Sequence, residues 1–196
     1  LINFYNTEGY RDATIVSDSV YRISDDRLGI RIVVDEGTRY YFRNITWKGN
    51  YLYDDSYLTQ VLGIEKGDVY NQEELEKRLN YNPTRGVDVS GLYQNDGYLF
   101  SSIEPVEVAI VGDSIDLEMR VFEGPQATIN KISVTGNDKT SDHVIIRQLR
   151  TLPGQKYSRD ALIRSRNELA GLGYFDPEQI GMVPVPNQAD GTEDIN

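Results

Sequence analysis

The feature that most constrains the fold of this chain is an internal repeat with an offset of 87 residues. The segment Ile45-Thr46-Trp47-Lys48-Gly49-Asn50 returns as Ile132-Ser133-Val134-Thr135-Gly136-Asn137. At the same offset, Gly67-Asp68-Val69-Tyr70 returns as Gly154-Gln155-Lys156-Tyr157. A fixed period of this kind is typical of chains built from copies of one supersecondary unit.

A second landmark sets the boundaries of the copies. Gly97-Tyr98 returns as Gly173-Tyr174 at an offset of 76 residues, so the middle copy holds an insertion of 11 residues, which we place around Pro83. Gly9-Tyr10 is the same landmark near the start of the chain. We therefore expect a first repeat over residues 1–38 that is the C-terminal part of a unit, a complete middle repeat over 39–124, and a last repeat over 125–196 that stops before its last strand.

The middle repeat predicts the order strand, helix, helix, strand, strand. Aromatic and β-branched residues favour a first strand, and clean alternation predicts two later strands. Turn and capping residues separate these strands from two helices. Asp55 is expected to cap the first helix and Gly63 to end it. Asn71 is expected to open the second helix, which Pro83 interrupts until about Val87. The expected elements are strands at Tyr40–Trp47, Ser102–Ile110 and Ile115–Phe122, with helices over Ser56–Leu62 and from Asn71 onward.

Composition excludes several classes of function. The net charge of −11 argues against a nucleic-acid partner, because phosphate binding needs a concentrated basic surface. The chain has no cysteine, and its single histidine, His143, is expected to be an exposed helical residue. No nucleophile, base and orienting group emerge together, so the sequence predicts no enzyme, no metal site and no cofactor.

The ordered landmarks resemble the POTRA domain of outer-membrane assembly factors of the Omp85 type. The pattern is Gly-Asn after the first strand, Gly and Tyr before the second helix, Gly-Tyr after it and a closing Glu-Gly, and it covers nearly the whole chain. In the last repeat, Gly136-Asn137, Leu149-Arg150 and Leu172-Gly173-Tyr174-Phe175-Asp176 are similar to the POTRA unit next to the membrane barrel.

This resemblance implies an α+β fold of tandem units, each a three-stranded mixed sheet covered by two helices. It also implies a place on the periplasmic face of the cell outer membrane. The implied partners are unfolded outer-membrane β-barrel proteins, accessory assembly lipoproteins and the chain's own C-terminal membrane barrel, which these residues do not include.

The same resemblance implies where clients bind. In this fold the third strand is central and the second lies at an edge, and an unpaired edge can accept an extended client as a further strand. Two edge segments are expected, and Pro105 should limit pairing on the second one to its later half because proline has no backbone donor. The candidate residues are Ile15, Ser17, Ser19 and Tyr21 in the first segment, and Ile103, Glu107, Val108 and Ala109 in the second.

Two other functions stay open on the sequence alone. One is the arm of a related outer-membrane transporter that moves polypeptides. The other is a passive structural spacer with no client binding. Most of the negative charge falls in residues 41–124, where it either keeps an exposed arm in solution or marks a face for a basic partner.

Overall fold

The computed structural model describes residues 1–80, 87–137, 140–187 and 192–195. In chain order its helices and strands are α1 Ile2–Thr7, β1 Thr14–Ser24, β2 Arg27–Asp35, β3 Tyr41–Lys48, α2 Asp55–Leu62, α3 Gln72–Asn80, α4 Val89–Asn95, β4 Ser102–Val111, β5 Ser114–Phe122, β6 Thr128–Ile132, α5 Asp142–Ile146, α6 Arg159–Gly171, β7 Pro184–Asn187 and β8 Thr192–Ile195.

The predicted α+β class and element order of the middle repeat are confirmed. Its sheet has the order β3-β5-β4, with β3 parallel to the central strand β5. The last repeat has the equivalent order β6-β8-β7, with β6 parallel to the central β8. In the first repeat, β1 and β2 form an antiparallel pair. The two three-stranded sheets are therefore mixed, as the POTRA resemblance implies, and the two-stranded sheet is antiparallel.

The expectation that the last repeat stops before its closing strand is wrong. β8 lies between β6 and β7, and the buried Ile195 completes a core with Ala127, Ile129, Tyr157 and Leu162. The sequence signal for this strand is weak because four residues give too short a window for a period of two, and Ile195 is their only large apolar residue.

The helix signals of the middle repeat are confirmed in part. Gly63 ends α2 with φ of 61°, and Asn71 Oδ1 accepts a hydrogen bond from the Glu74 N–H at 3.0 Å. Asp55 is not the cap, because Asp54 occupies that position and Asp55 lies inside α2. α4 begins at Val89, two residues later than expected, and Pro83 lies outside the described residues.

The repeated Gly-Asn pair has the same structural role in both copies. Gly49 and Gly136 have φ of 85° and 81°, a left-handed conformation that L-residues with a side chain rarely adopt. The next side chain then holds the turn against the following helix: Asn50 Nδ2 donates to Asp55 Oδ1 at 2.7 Å, and Asn137 Nδ2 donates to Asp142 Oδ1 at 2.6 Å. The motif therefore fixes how the first helix leaves the first strand.

A bulge in β3 allows Phe42 and Trp47 to be buried together although they are five residues apart. Between the pairs Phe42–Ile115 and Ile45–Leu117 the register shifts by one residue. Asp116 holds the bulge, since its carboxylate accepts hydrogen bonds from the Arg43 guanidinium and, at 3.1 Å, from the Asn44 N–H. These donors, Arg43 first, lower the pKa of Asp116 to about 2.

The chain divides into two compact units, one containing the described residues of 1–86 and 103–120, the other those of 87–102 and 121–196. The division does not follow the sequence repeats, because α4 belongs to the second unit. There Arg159 Nη1 donates to the buried Asp88 Oδ1 at 2.9 Å, and Asn95 Oδ1 accepts from the Asp160 N–H at 2.8 Å. These contacts join α4 to the start of α6.

Candidate functional site

The two edges of the β3-β5-β4 sheet differ. The segment Gly67–Tyr70 runs antiparallel along the start of β3, on the side away from β5. The Phe42 N–H donates to the Asp68 carbonyl at 2.9 Å, and the Tyr70 N–H donates to the Tyr40 carbonyl at 2.9 Å. Gly67 also donates its N–H to the Phe42 carbonyl at 2.8 Å. The first half of that edge is therefore already paired within the chain.

The opposite edge is β4. Within the described residues this strand pairs with β5 alone, so its outer backbone groups face away from the sheet. The sheet order thus confirms the expectation that the second strand of the unit lies at an edge. An edge of this kind presents a row of N–H and C=O groups that a further strand can pair with.

The turn before β5 indicates which β4 groups face outward. Gly112 has φ of 65° and Asp113 a negative φ, as in a two-residue II′ hairpin. In such a hairpin Val111 and Ser114 form a hydrogen-bonded pair, and pairing alternates along the strands. Counting back along a regular ladder, we expect the N–H of Ala109 to face β5 and that of Val108 to face the open edge.

The structure separates the four candidate residues of β4. Ile103 is buried in the core, and Ala109 is half-buried. Val108 is 51% exposed. Ile110 and Val111, which are also exposed, were not predicted as edge residues. The uninterrupted aliphatic run over residues 108–111 could have identified them. The accessible part of the edge is therefore its later half.

Glu107 is engaged within the chain. Its carboxylate accepts from Arg11 Nη1 at 2.6 Å and from the Tyr70 hydroxyl at 3.2 Å. Burial first, and then the negative charge of Glu107, raises the pKa of Tyr70 to about 12. Glu107 thus links β4 to the segment Gly67–Tyr70, which pairs with the edge of β3. Its position in the sequence did not reveal this role.

The candidate residues of the first repeat lie on a separate sheet. Ile15, Ser17, Ser19 and Tyr21 are all exposed along β1, whose described pairing is with β2 alone. The Tyr21 ring covers Gly29 of β2, where a Cβ atom would come within 2.6 Å of the ring. Tyr21 therefore serves as a cross-strand contact.

Other kinds of site find no support in the part of the chain that the structure describes. No group of three His, Cys, Asp or Glu side chains there is arranged to hold a metal ion. No helix among these residues is long and apolar enough to cross a membrane. His143 is exposed, as predicted, with its Nδ1 atom 2.8 Å from the Ser141 hydroxyl.

These features, a mixed three-stranded sheet with β4 at an edge and a repeated Gly-Asn turn, define a class of tandem α+β repeat domains. The chain belongs to the POTRA family, described as the surface antigen variable number repeat, which matches residues 40–124 and 127–195.

Two curated relatives carry the name outer membrane protein assembly factor BamA. The protein from Neisseria meningitidis serogroup B is 27% identical over 96% of this chain and 23% of its own length. The protein from Nitratidesulfovibrio vulgaris is 27% identical over 92% of this chain and 22% of its own length. The chain therefore spans less than a quarter of either relative.

Solved structures show the same fold. POTRA domains 3–5 of Haemophilus influenzae BamA superimpose with a TM-score of 0.77 at 19% identity, covering 99% of this chain and 74% of that one. BamA of Haemophilus ducreyi lacking POTRA domains 1–3 gives a TM-score of 0.60 at 20% identity, covering 80% of this chain and 28% of that one.

Proposed function

We propose that this chain is a non-enzymatic POTRA array that binds unfolded outer-membrane β-barrel proteins by strand addition along β4. The observation that carries the proposal is the open edge: β4 has no outer strand among the described residues, whereas the start of β3 is paired with Gly67–Tyr70. Such an edge offers a client both hydrogen bonds and an apolar surface.

The chemistry of this edge suits many different clients. Main-chain hydrogen bonds are indifferent to the side chains of the added strand, so one edge can accept unrelated sequences. Val108, Ile110 and Val111 are each about half exposed and can contact the alternating apolar residues of a barrel strand. Ile103 is buried and Glu107 is held by Arg11, so we place client pairing over residues 108–111.

The remaining partners are proposed from the family resemblance and from the names of the relatives. We place the chain on the periplasmic face of the cell outer membrane, among the last POTRA units before a membrane barrel. In that setting it would support its own C-terminal barrel and dock accessory assembly lipoproteins.

The test is a titration of isotope-labelled chain with a peptide taken from a barrel strand, followed by NMR. Strand addition predicts shifts in the amides of residues 108–111 and binding that Val108→Pro weakens, because proline removes the outward donor. Val108→Ala is the matched control: it also loses the valine side chain but keeps the N–H group, and so retains most of the binding.

Two results would contradict the proposal. A peptide that shifts no β4 amide indicates a passive spacer. Equal binding by the alanine and proline variants, both folded, removes the β4 backbone from the site. The arm of a polypeptide transporter would instead bind the unfolded passenger of that transporter in preference to barrel strands.

A further inference from the structure

The second compact unit contains an open cavity of about 640 Å³ that is lined by both apolar and polar residues. It lies between β6, the helices α5 and α6, and the chain that follows α6. Its apolar lining includes Val134, Leu149, Leu169, Phe175, Met182 and Ile195. This volume falls in the range of ligand pockets.

The repeat itself shows what is missing from this space. In the middle repeat, the residue equivalent to Val134 is Trp47, whose side chain is only 6% exposed. The Trp47 indole donates its N–H to Thr59 Oγ1 at 2.9 Å. The position equivalent to Thr59 is Ile146, which is 40% exposed and whose side chain can accept no hydrogen bond. The last repeat therefore lacks both the ring and its acceptor.

The surrounding side chains differ in the way that a missing ring predicts. Leu58 and Leu62, on the first helix of the middle repeat, are fully buried. Their equivalents Ile145 and Leu149 border the cavity, where Ile145 is 8% exposed and Leu149 is half-buried. The same two helix positions thus keep contact with solvent in the last repeat.

The cavity is open to an incoming group. Two of its lining residues, Tyr174 and Val183, are 68% and 58% exposed and stand at its border. The apolar part of this lining, together with exposed Tyr174 and Val183, favours an aromatic ring, which buries a large area at little cost in conformational entropy.

We propose that this cavity binds an aromatic side chain of an unfolded polypeptide, which takes the place that Trp47 occupies in the middle repeat. That the ring belongs to an unfolded polypeptide rests on the proposed function, whereas binding of an aromatic ring as such depends only on the cavity. The ligand class is an indole or phenyl ring on an extended peptide.

The first measurement is a titration of the chain with free indole, followed by NMR. With about nine non-hydrogen atoms, indole should bind with a Kd of roughly 1 mM and shift the amides of residues 132–134 and 145–149. Val134→Trp, combined with Ile146→Thr to restore the acceptor, should weaken indole binding at least about tenfold and raise the thermal midpoint of the unit. Val134→Phe is a second filling variant that keeps the test valid if the double variant does not fold.

The middle repeat supplies the mirror control. Trp47→Val should create a second indole site, with shifts in the amides of residues 45–47 and 58–62. Wild-type chain that binds no indole, or filled variants that bind it as well as wild type, would overturn the proposal.

The source of the ring is tested with two peptides that differ only in one residue, tryptophan or alanine. The tryptophan peptide should bind several-fold more tightly, and the filled variants should abolish that difference. Equal binding of the two peptides by wild-type chain refutes a polypeptide ligand. Val108→Pro should leave indole binding unchanged, so a failure of strand addition is distinguishable from a failure of this site.

Discussion

Replacement of Tyr70 by phenylalanine should change how the stability of the chain responds to alkaline pH. The Tyr70 side chain is 5% exposed, its ring centroid lies 5.0 Å from that of Phe42, and its hydroxyl donates to Glu107. Phenylalanine keeps the ring packing and removes only the hydroxyl. The variant therefore isolates the ionisation of one group.

The sign follows from the raised pKa. In the unfolded chain Tyr70 ionises near pH 10, whereas in the folded chain burial and Glu107 hold its pKa at about 12. Between these values the folded state binds more protons, so the free energy of unfolding falls as pH rises. The loss is about 1.4 kcal/mol at pH 11 and approaches about 2.7 kcal/mol above pH 12.

Urea unfolding of wild type and Tyr70→Phe between pH 7 and 11.5 tests this reasoning. At pH 7 the variant should be less stable by about 1 kcal/mol, because Glu107 loses one donor. The difference should close near pH 11 and reverse above it. Tyr51→Phe is the matched control, since it removes the same hydroxyl from a side chain that is 91% exposed.

A constant difference between wild type and Tyr70→Phe across this range would refute the argument. It would mean that Tyr70 ionises at the same pH in the folded and unfolded states. The hydroxyl would then be open to solvent, in disagreement with the structure.

Three further predictions concern contacts that lie within one or the other compact unit. Arg159→Met should destabilise the second unit by about 2 kcal/mol, because the buried Asp88 loses its charged partner, and a double-mutant cycle with Asp88→Asn should show strong coupling. Asp116→Asn should reduce the loss of stability that wild type shows as pH falls from about 4 to 2. The reason is that Asp116, whose pKa is lowered in the folded state, contributes stability only while its carboxylate is charged. Urea midpoints at pH 2.5 and 6 measure this difference. Ile195→Ala should cost about 2–4 kcal/mol and increase hydrogen exchange in Thr128–Ile132, because β8 is the central strand; unchanged exchange would contradict that placement.

Local patterns were sufficient to predict most elements of this chain. The alternation of Ile115, Leu117 and Met119 predicted one face of β5, and all three side chains are buried. Gly63 and Asn71 predicted helix ends because their effects act within four residues along the chain. Signals of this range are fully contained in the sequence.

The repeat and its ordered motifs pointed to the POTRA family, and that resemblance implied the sheet order. The repeat could not predict β8, because four residues with one large apolar side chain give no periodic signal, and the strand is stabilised by β6 and β7 on either side. Nor could it predict the bulge in β3, since Asp116 lies 72 residues beyond Asn44, to which it is bound.

The sequence by itself determined the repeat, the α+β units and two candidate edge segments. Only the tertiary structure decided which part of an edge is open, that Glu107 is occupied by Arg11 and Tyr70, and that Val134 leaves a cavity where Trp47 fills the space. The physical reason is range. Propensity and capping act between neighbours in sequence, whereas edge pairing, ion pairs and packing volume depend on residues that meet only when the chain is folded.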